Sequence, residues 1–179
     1  GSLTLFGQTL FGEKKHLEEA VKLLEKSERI AHDPQNLKLL NQIAAYTNQS
    51  FDFDRFLRSD KAEELESYGD YFSYDLGATE QAAQLYAKAE AIQHGTQRLI
   101  KLHRTSTALN RPFGFERFMS SDSLEELSQY ARYFYGRSKW DESWQLYEKT
   151  LSKKYLSYNL LQMQRIAKKT GRTLDFNLF

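Results

Sequence analysis

The sequence predicts an all-α fold assembled from three helical repeats of about 62 residues. Three observations predict it. Phe-Asp-Phe-Asp-Arg-Phe at 51–56 returns as Phe-Gly-Phe-Glu-Arg-Phe at 113–118, and the same shift carries Gly7 to Gly69, Ala20 to Ala82, Lys26 to Lys88, His32 to His94 and Asn48 to Asn110. Apolar residues recur at i, i+3, i+4 and i+7, one face of an α-helix. Pro occurs twice and Cys never, so few residues interrupt a helix.

The copies span 3–58, 59–120 and 121–179, after a Gly1-Ser2 that reads as an expression scar on a fragment of a longer polypeptide. In the third copy one residue is deleted in a turn, so Tyr68 matches Tyr130 but Tyr86 matches Tyr147 and Phe115 matches Phe176. Each copy reads as three helices and a tail.

The first helix is LTLFGQTLFG at 3–12, then 60–74, then 122–136. Leu3, Phe6, Gly7 and Leu10 align with Leu65, Tyr68, Gly69 and Phe72, and with Leu127, Tyr130, Ala131 and Phe134. The small third member lets a neighbouring helix approach closely, which offsets the cost of about 1 kcal/mol for Gly against Ala. Asp60 and Asp122 stand where N-caps belong, with Glu63 and Glu125 three residues on, as in a capping box.

The second helix covers about 15–31, 79–93 and 138–153; its apolar face holds Leu17, Ala20, Val21 and Leu24, then Ala82, Ala83 and Tyr86, then Trp140, Trp144 and Tyr147. The third covers about 35–47, 96–109 and 156–170, opened in the first copy by Asp33-Pro34. Asn48, Asn110 and Gly171 follow the third helices and suit left-handed C-terminal caps. The tails, Phe51/Phe53/Phe56, Phe113/Phe115/Phe118 and Leu174/Phe176/Phe179, should enter one short helical turn that plugs the seam between copies. Phe176 and Phe179 have no following copy to cover them, which makes them candidates for self-association.

The formal charge of +1 conceals an asymmetry: residues 1–90 carry 10 Lys/Arg against 16 Asp/Glu, or −6, and residues 91–179 carry 15 against 8, or +7. Such a dipole can steer an acidic partner to one end. No apolar run approaches the ~20 residues of a membrane-spanning helix, so this segment is not expected to insert. Absence of Cys excludes disulfides and thiolate metal sites and leaves the compartment open, with the cytoplasm the preferred expectation.

LSQYARYFYGRSKWDESWQLYEKTL at 127–151 resembles a tetratricopeptide unit, with Ala131, Phe134, Trp140, Ser143 and Tyr147 at the family's small and aromatic positions. Gly69, Phe72, Ala82, Tyr86 and Ala89 repeat the pattern, as do Gly7, Leu10, Ala20 and Leu24. The resemblance implies a right-handed α-α superhelix acting as a protein-interaction scaffold, with a groove lined by the first helices. It covers about half of each copy; a standard unit has about 34 residues, so every copy also carries an extra helix and the phenylalanine tail. Carried over residue by residue, the groove positions are Glu63, Glu66, Asp70, Ser73 and Tyr74, then Glu125, Gln129, Arg132 and Tyr135. A peptide or protein partner follows, in a docking module of a larger assembly; an ordinary solvated helix face is the competing reading.

A second expectation is RNA binding by a basic ridge on the third helices of copies two and three: Arg98, Lys101, Arg104 and Arg111, then Arg165, Lys168, Lys169 and Arg172. Gln42 and Gln49 replace two of these arginines in the first copy, and the near-neutral total charge disfavours nucleic acid. A third is an accessory role in envelope or glycan assembly, which no residue selects. The four histidines lack metal-binding spacing, His16 and Glu19 forming only a lone His-x-x-Glu; neither a nucleophile motif nor a nucleotide loop is present. No enzymatic activity, cofactor or metal is expected of the segment.

Overall fold

In a computed structural model that describes residues 17–174, every regular element is helical. The chain contains α1 (Leu17–Ile30), α2 (Pro34–Tyr46), α3 (Asp54–Leu57), α4 (Ala62–Asp70), α5 (Thr79–Ile92), α6 (Thr96–Ala108), α7 (Glu116–Met119), α8 (Leu124–Tyr135), α9 (Trp140–Lys153) and α10 (Ser157–Thr170). A π-helical turn, Tyr71–Asp75, extends α4. Expectations about LTLFGQTLFG, His16, Phe176 and Phe179 lie outside the described residues. No described helix is long and apolar enough to cross a membrane.

The chain divides into two compact units, one ending at His94 and the other beginning at Gly95. This boundary falls inside the second sequence repeat, because third helices pack forward: α2 contacts α4, and α6 contacts α8.

In the first unit α4 and α5 form the main pair. Leu65, Tyr68, Gly69 and Phe72 are buried as their spacing predicts, facing Ala82, Ala83, Tyr86 and Ala89. The tail turn α3 inserts Phe56, whose ring meets Tyr68 at 4.9 Å and Phe72 at 5.0 Å. Lys88 reaches from α5 to donate to the Leu57 carbonyl at the end of α3, satisfying an acceptor that a four-residue helix leaves open. Arg55 adds a bidentate pair to Glu25 of α1 at 2.8 and 3.2 Å.

The second unit repeats the phenylalanine and lysine contacts on α8 and α9. Phe118 of α7 meets Tyr130 at 4.9 Å and Phe134 at 5.0 Å, and Lys149 donates to the Met119 carbonyl. The core extends through Leu127, Leu146, Leu151 and, from α10, Met163 and Ile166. Ser143 stands at a small-residue position and donates its hydroxyl to the Ala131 carbonyl at 2.9 Å, so this polar side chain is buried with a partner.

Helix ends follow the sequence in four places and depart from it in two. Asp33 caps α2 by accepting from the Gln35 amide at 2.9 Å, with Pro34 opening the helix. Asn48, Asn110 and Gly171 have φ of 54°, 53° and 73°, the left-handed stops expected after each third helix. The Asp60 and Asp122 caps are corrected. Before α4 the N-cap is Lys61, without a side-chain bond, and before α8 it is Ser123, whose Oγ accepts from the Glu126 amide at 3.3 Å. The cap is shifted by one residue because Ser123 is the last extended residue, while Asp122 turns outward to Lys153 at 2.6 Å. Ser123→Ala is therefore expected to lower stability by about 0.5–2 kcal/mol in urea unfolding. Asp122→Ala should change little, since exposed pairs contribute weakly.

The single-residue length difference is the second correction. Gly77 and Ser138, both left-handed with φ of 65° and 58°, end the first helices. Ala78 donates to the Phe72 carbonyl at 2.8 Å and Lys139 to the Phe134 carbonyl at 3.1 Å, the same closing bond spanning one residue more in the first unit. The extra residue is absorbed inside the helix by the π turn, as such bulges commonly do.

Candidate partner-binding face

The first-helix positions expected to face a partner differ in their surroundings. In the first unit Glu63 and Tyr74 are exposed, Glu66 and Ser73 are half-buried, and Asp70 accepts from the Tyr86 hydroxyl at 2.8 Å. Burial pushes the Tyr86 hydroxyl up, Asp70 adds to the shift, and the group remains a donor. Asp70 thus holds a buried tyrosine as well as occupying the predicted groove.

The neighbouring side of α4 carries polar contacts that the sequence did not single out. Lys38 donates to Ser67 at 2.9 Å and Asn41 to the Tyr71 hydroxyl at 3.1 Å, tying α2 to α4 and its π turn. His32 lies between two carboxylates, its Nδ1 against Glu28 and its Nε2 against Glu64, and Tyr68 donates to Glu64 at 3.0 Å. Glu28, His32 and Glu64 border a depression of about 320 Å³ that Arg55, Arg58 and Lys61 also line. His32 thus links the end of α1 to α4.

Both ring nitrogens of His32 face carboxylates, an arrangement that favours the imidazolium. Burial opposes that charge, but the bonds to Glu64 and Glu28 outweigh it and raise the pKa above the ordinary value near 6.5. A raised folded-state pKa stabilises fully below the unfolded value and is lost as pH rises through the folded one. The first unit should therefore weaken in urea titrations as the pH rises above the ordinary value of 6.5, and His32→Asn should remove that contribution.

In the second unit Glu125 accepts from Gln129 at 3.2 Å, and Gln129 in turn accepts from Gln97 of α6 at 3.2 Å. Arg132 is exposed, donates Nε to the Ser128 carbonyl at 3.3 Å, and lies 5.9 Å from the Tyr158 ring. Ser128, Arg132, Leu156, Ser157, Tyr158 and Asn159 enclose a cleft of about 330 Å³ where α10 starts beside α8. Arg132 was singled out from the sequence; Ser128, Tyr158 and Asn159 were not, because only the packing of α10 brings them to this cleft.

The basic ridge requires a correction at Arg98, which is 8% exposed and so cannot present its charge on the surface. Lys101 is half-buried, while Arg104, Arg111, Arg165 and Lys168 are exposed. Lys169 lies 4.6 Å from the Trp140 ring and 5.8 Å from Tyr135, and Arg172 pairs with Asp141 at 2.5 Å and lies 5.4 Å from Trp144. A ridge residue and a groove residue therefore meet at Tyr135.

His103, unremarked in the sequence, occupies the densest aromatic cluster of this unit. Its Nδ1 lies 2.6 Å from the Tyr133 hydroxyl, and rings of Phe113, Phe118, Tyr133 and Phe134 surround it at 5.1–5.5 Å. Burial and then Arg137 lower its pKa, so it is a neutral packing histidine. It repeats the Asn41–Tyr71 contact of the first unit.

No family model matches the chain, and no curated protein matches it.

Proposed function

We propose that the chain is a three-repeat, tetratricopeptide-like α-solenoid that serves as a protein-interaction scaffold, taking a peptide or partner protein on the first-helix face. The open cleft between α8 and the start of α10 is the observation that carries this reading, since exposed Arg132 and Tyr158 combine there with polar Ser128 and Asn159. Arg and Tyr provide large contact area and several hydrogen bonds without needing a deep pocket. Contacts recurring at the repeat spacing, Phe56–Tyr68 with Phe118–Tyr130 and Lys88–Leu57 with Lys149–Met119, support the repeat organisation.

Selection from a random peptide display library on the immobilised chain tests the reading. Selected peptides should lose binding to a variant carrying Arg132→Glu and Tyr158→Ala, two exposed positions whose exchange leaves the helical circular dichroism intact. Retention by that variant would reject the face. Asp70→Lys is a poor probe because it also removes the Tyr86 acceptor. Salt-sensitive capture of single-stranded RNA, abolished by Arg104→Ala with Lys168→Ala, would instead assign the basic surface to nucleic acid.

A further inference from the structure

The third helices α2 and α6 are covered on the same stripe by the first helix that follows each of them. On α2 the stripe holds Pro34, Leu37, Lys38 and Asn41, none of them exposed; Lys38 donates to Ser67 at 2.9 Å and Asn41 to the Tyr71 hydroxyl at 3.1 Å, on α4 and its π turn. On α6 it holds Thr96, Leu99, Ile100 and His103, again none exposed; Thr96 donates to Glu126 at 3.2 Å and His103 meets the Tyr133 hydroxyl at 2.6 Å, both on α8. Residues at i, i+3, i+4 and i+7 make one face of a helix.

On α10 the same positions are Ser157, Leu160, Leu161 and Gln164, and each is more open than its counterparts. Ser157, Leu161 and Gln164 are exposed, and Leu160 is half-buried where Leu37 and Leu99 are buried. Leu161 is 45% exposed against 8% for Ile100. The inner side of α10 does not differ: Met163, Ile166 and Ala167 are buried, as Leu102, Thr105 and Ser106 are on α6. α10 is therefore seated on its own copy, and its forward stripe alone has lost its cover. All four residues of that stripe are uncharged, although Arg165, Lys168 and Lys169 stand close by on the same helix.

We infer that this stripe is a seat for the first helix of a second copy of the chain, which lies on α10 as α4 lies on α2 and α8 on α6. The occupant is named by the sequence of residues 3–12, a segment outside the described residues. Shifted back by 62 residues, Leu65, Tyr68, Gly69 and Phe72 of α4 and its π turn become Leu3, Phe6, Gly7 and Leu10. The residues that meet the preceding third helix, Ser67 and Tyr71, become Leu5 and Thr9. Leu5 would then meet Leu161 where Ser67 meets Lys38, and Thr9 would meet Gln164 where Tyr71 meets Asn41, so that an apolar pair and a hydrogen-bonding pair stand in register. Charges of −6 on residues 1–90 and +7 on residues 91–179 favour the approach of one copy's early residues to another's late ones. The inference rests on the repeat organisation proposed above and adds a partner which that reading does not name. Because the two surfaces differ, the contact is heterologous and can extend beyond a dimer.

Sedimentation velocity of the full chain, from low to high micromolar concentration, tests this, with every variant first checked for the helical circular dichroism of wild type. The average mass of the wild-type chain should rise with concentration. Leu161→Glu should raise the dissociation constant at least about tenfold, since it sets a charge where an apolar side chain is to be buried. The melting temperature should not fall, because Leu161 is exposed in the single chain. Gln164→Arg, a second exposed change on the stripe, should act in the same direction. Leu5→Glu should disable the opposite surface, and an equimolar mixture of Leu161→Glu and Leu5→Glu should form a dimer and nothing larger, each variant keeping the surface that the other lacks. A chain that stays monomeric at every concentration overturns the inference. So does association that neither Leu161→Glu nor Gln164→Arg weakens, or a mixture of folded variants that remains monomeric. Association lost only on Phe176→Ser with Phe179→Ser overturns it in favour of the tail residues. Peptides recovered by the library selection test the scaffold reading separately, whichever of these results is found.

Discussion

Replacing Phe118 with alanine should cost roughly 3–5 kcal/mol of unfolding free energy. Phe118 is fully buried, and its ring touches Tyr130 at 4.9 Å, Phe134 at 5.0 Å, His103 at 5.4 Å and Phe113 at 5.6 Å. Removing it deletes the anchor of α7 and leaves a cavity ringed by rigid aromatics that cannot collapse into it. Urea unfolding followed by tyrosine and tryptophan fluorescence provides the measurement. A loss below about 1 kcal/mol would mean that the tail is not seated on α8 as described, since surface substitutions stay within about 0.5 kcal/mol.

Gly69→Val should be comparably damaging for the opposite reason. A Cβ at Gly69 would stand 2.5 Å from the Tyr86 ring, which is 1% exposed and anchored through its hydroxyl to Asp70. Overpacking of this kind costs roughly 1–3 kcal/mol, occasionally more, while valine regains only a few tenths from helix propensity over glycine. Tyr86→Leu should relieve part of the clash, so the double variant should be more stable than the two separate losses predict. A Gly69→Val protein as stable as wild type would remove the close α4–α5 crossing.

The sequence made the small-residue crossings legible: Gly69, Ala82, Ala131 and Ser143 are all buried between first and second helices. The phenylalanine tails were equally plain, because Phe56 and Phe118 end segments that share three Phe, an acidic residue and an Arg at the same spacing. The caps were less so. Asp122 and Ser123 both have cap-forming side chains, and the extended backbone at Ser123 decides between them. The length difference at 72–77 was visible as a count of residues, yet a turn and a π bulge leave the same gap in an alignment.

The candidate site shows the same division. Arg132 and Tyr135 could be placed on the correct helix from the repeat, whereas Ser128, Tyr158 and Asn159 belong to the cleft only because α10 starts beside α8. Arg98 aligned with exposed cations and is buried. Glu64, one residue beyond the expected groove position Glu63, is one of the two carboxylates that hold His32.

By itself the sequence determined the helical segments, their left-handed stops and the aromatic and small residues that pack between them, because these follow from a 3.6-residue period and from local backbone preference. Tertiary structure alone decided which polar residue meets which. A step of one residue turns a side chain about 100° around the helix, so the neighbouring helix determines whether a charge is capped, buried or open. That is why matching tyrosines at 86 and 147 have an acceptor in one unit and none among the described residues in the other.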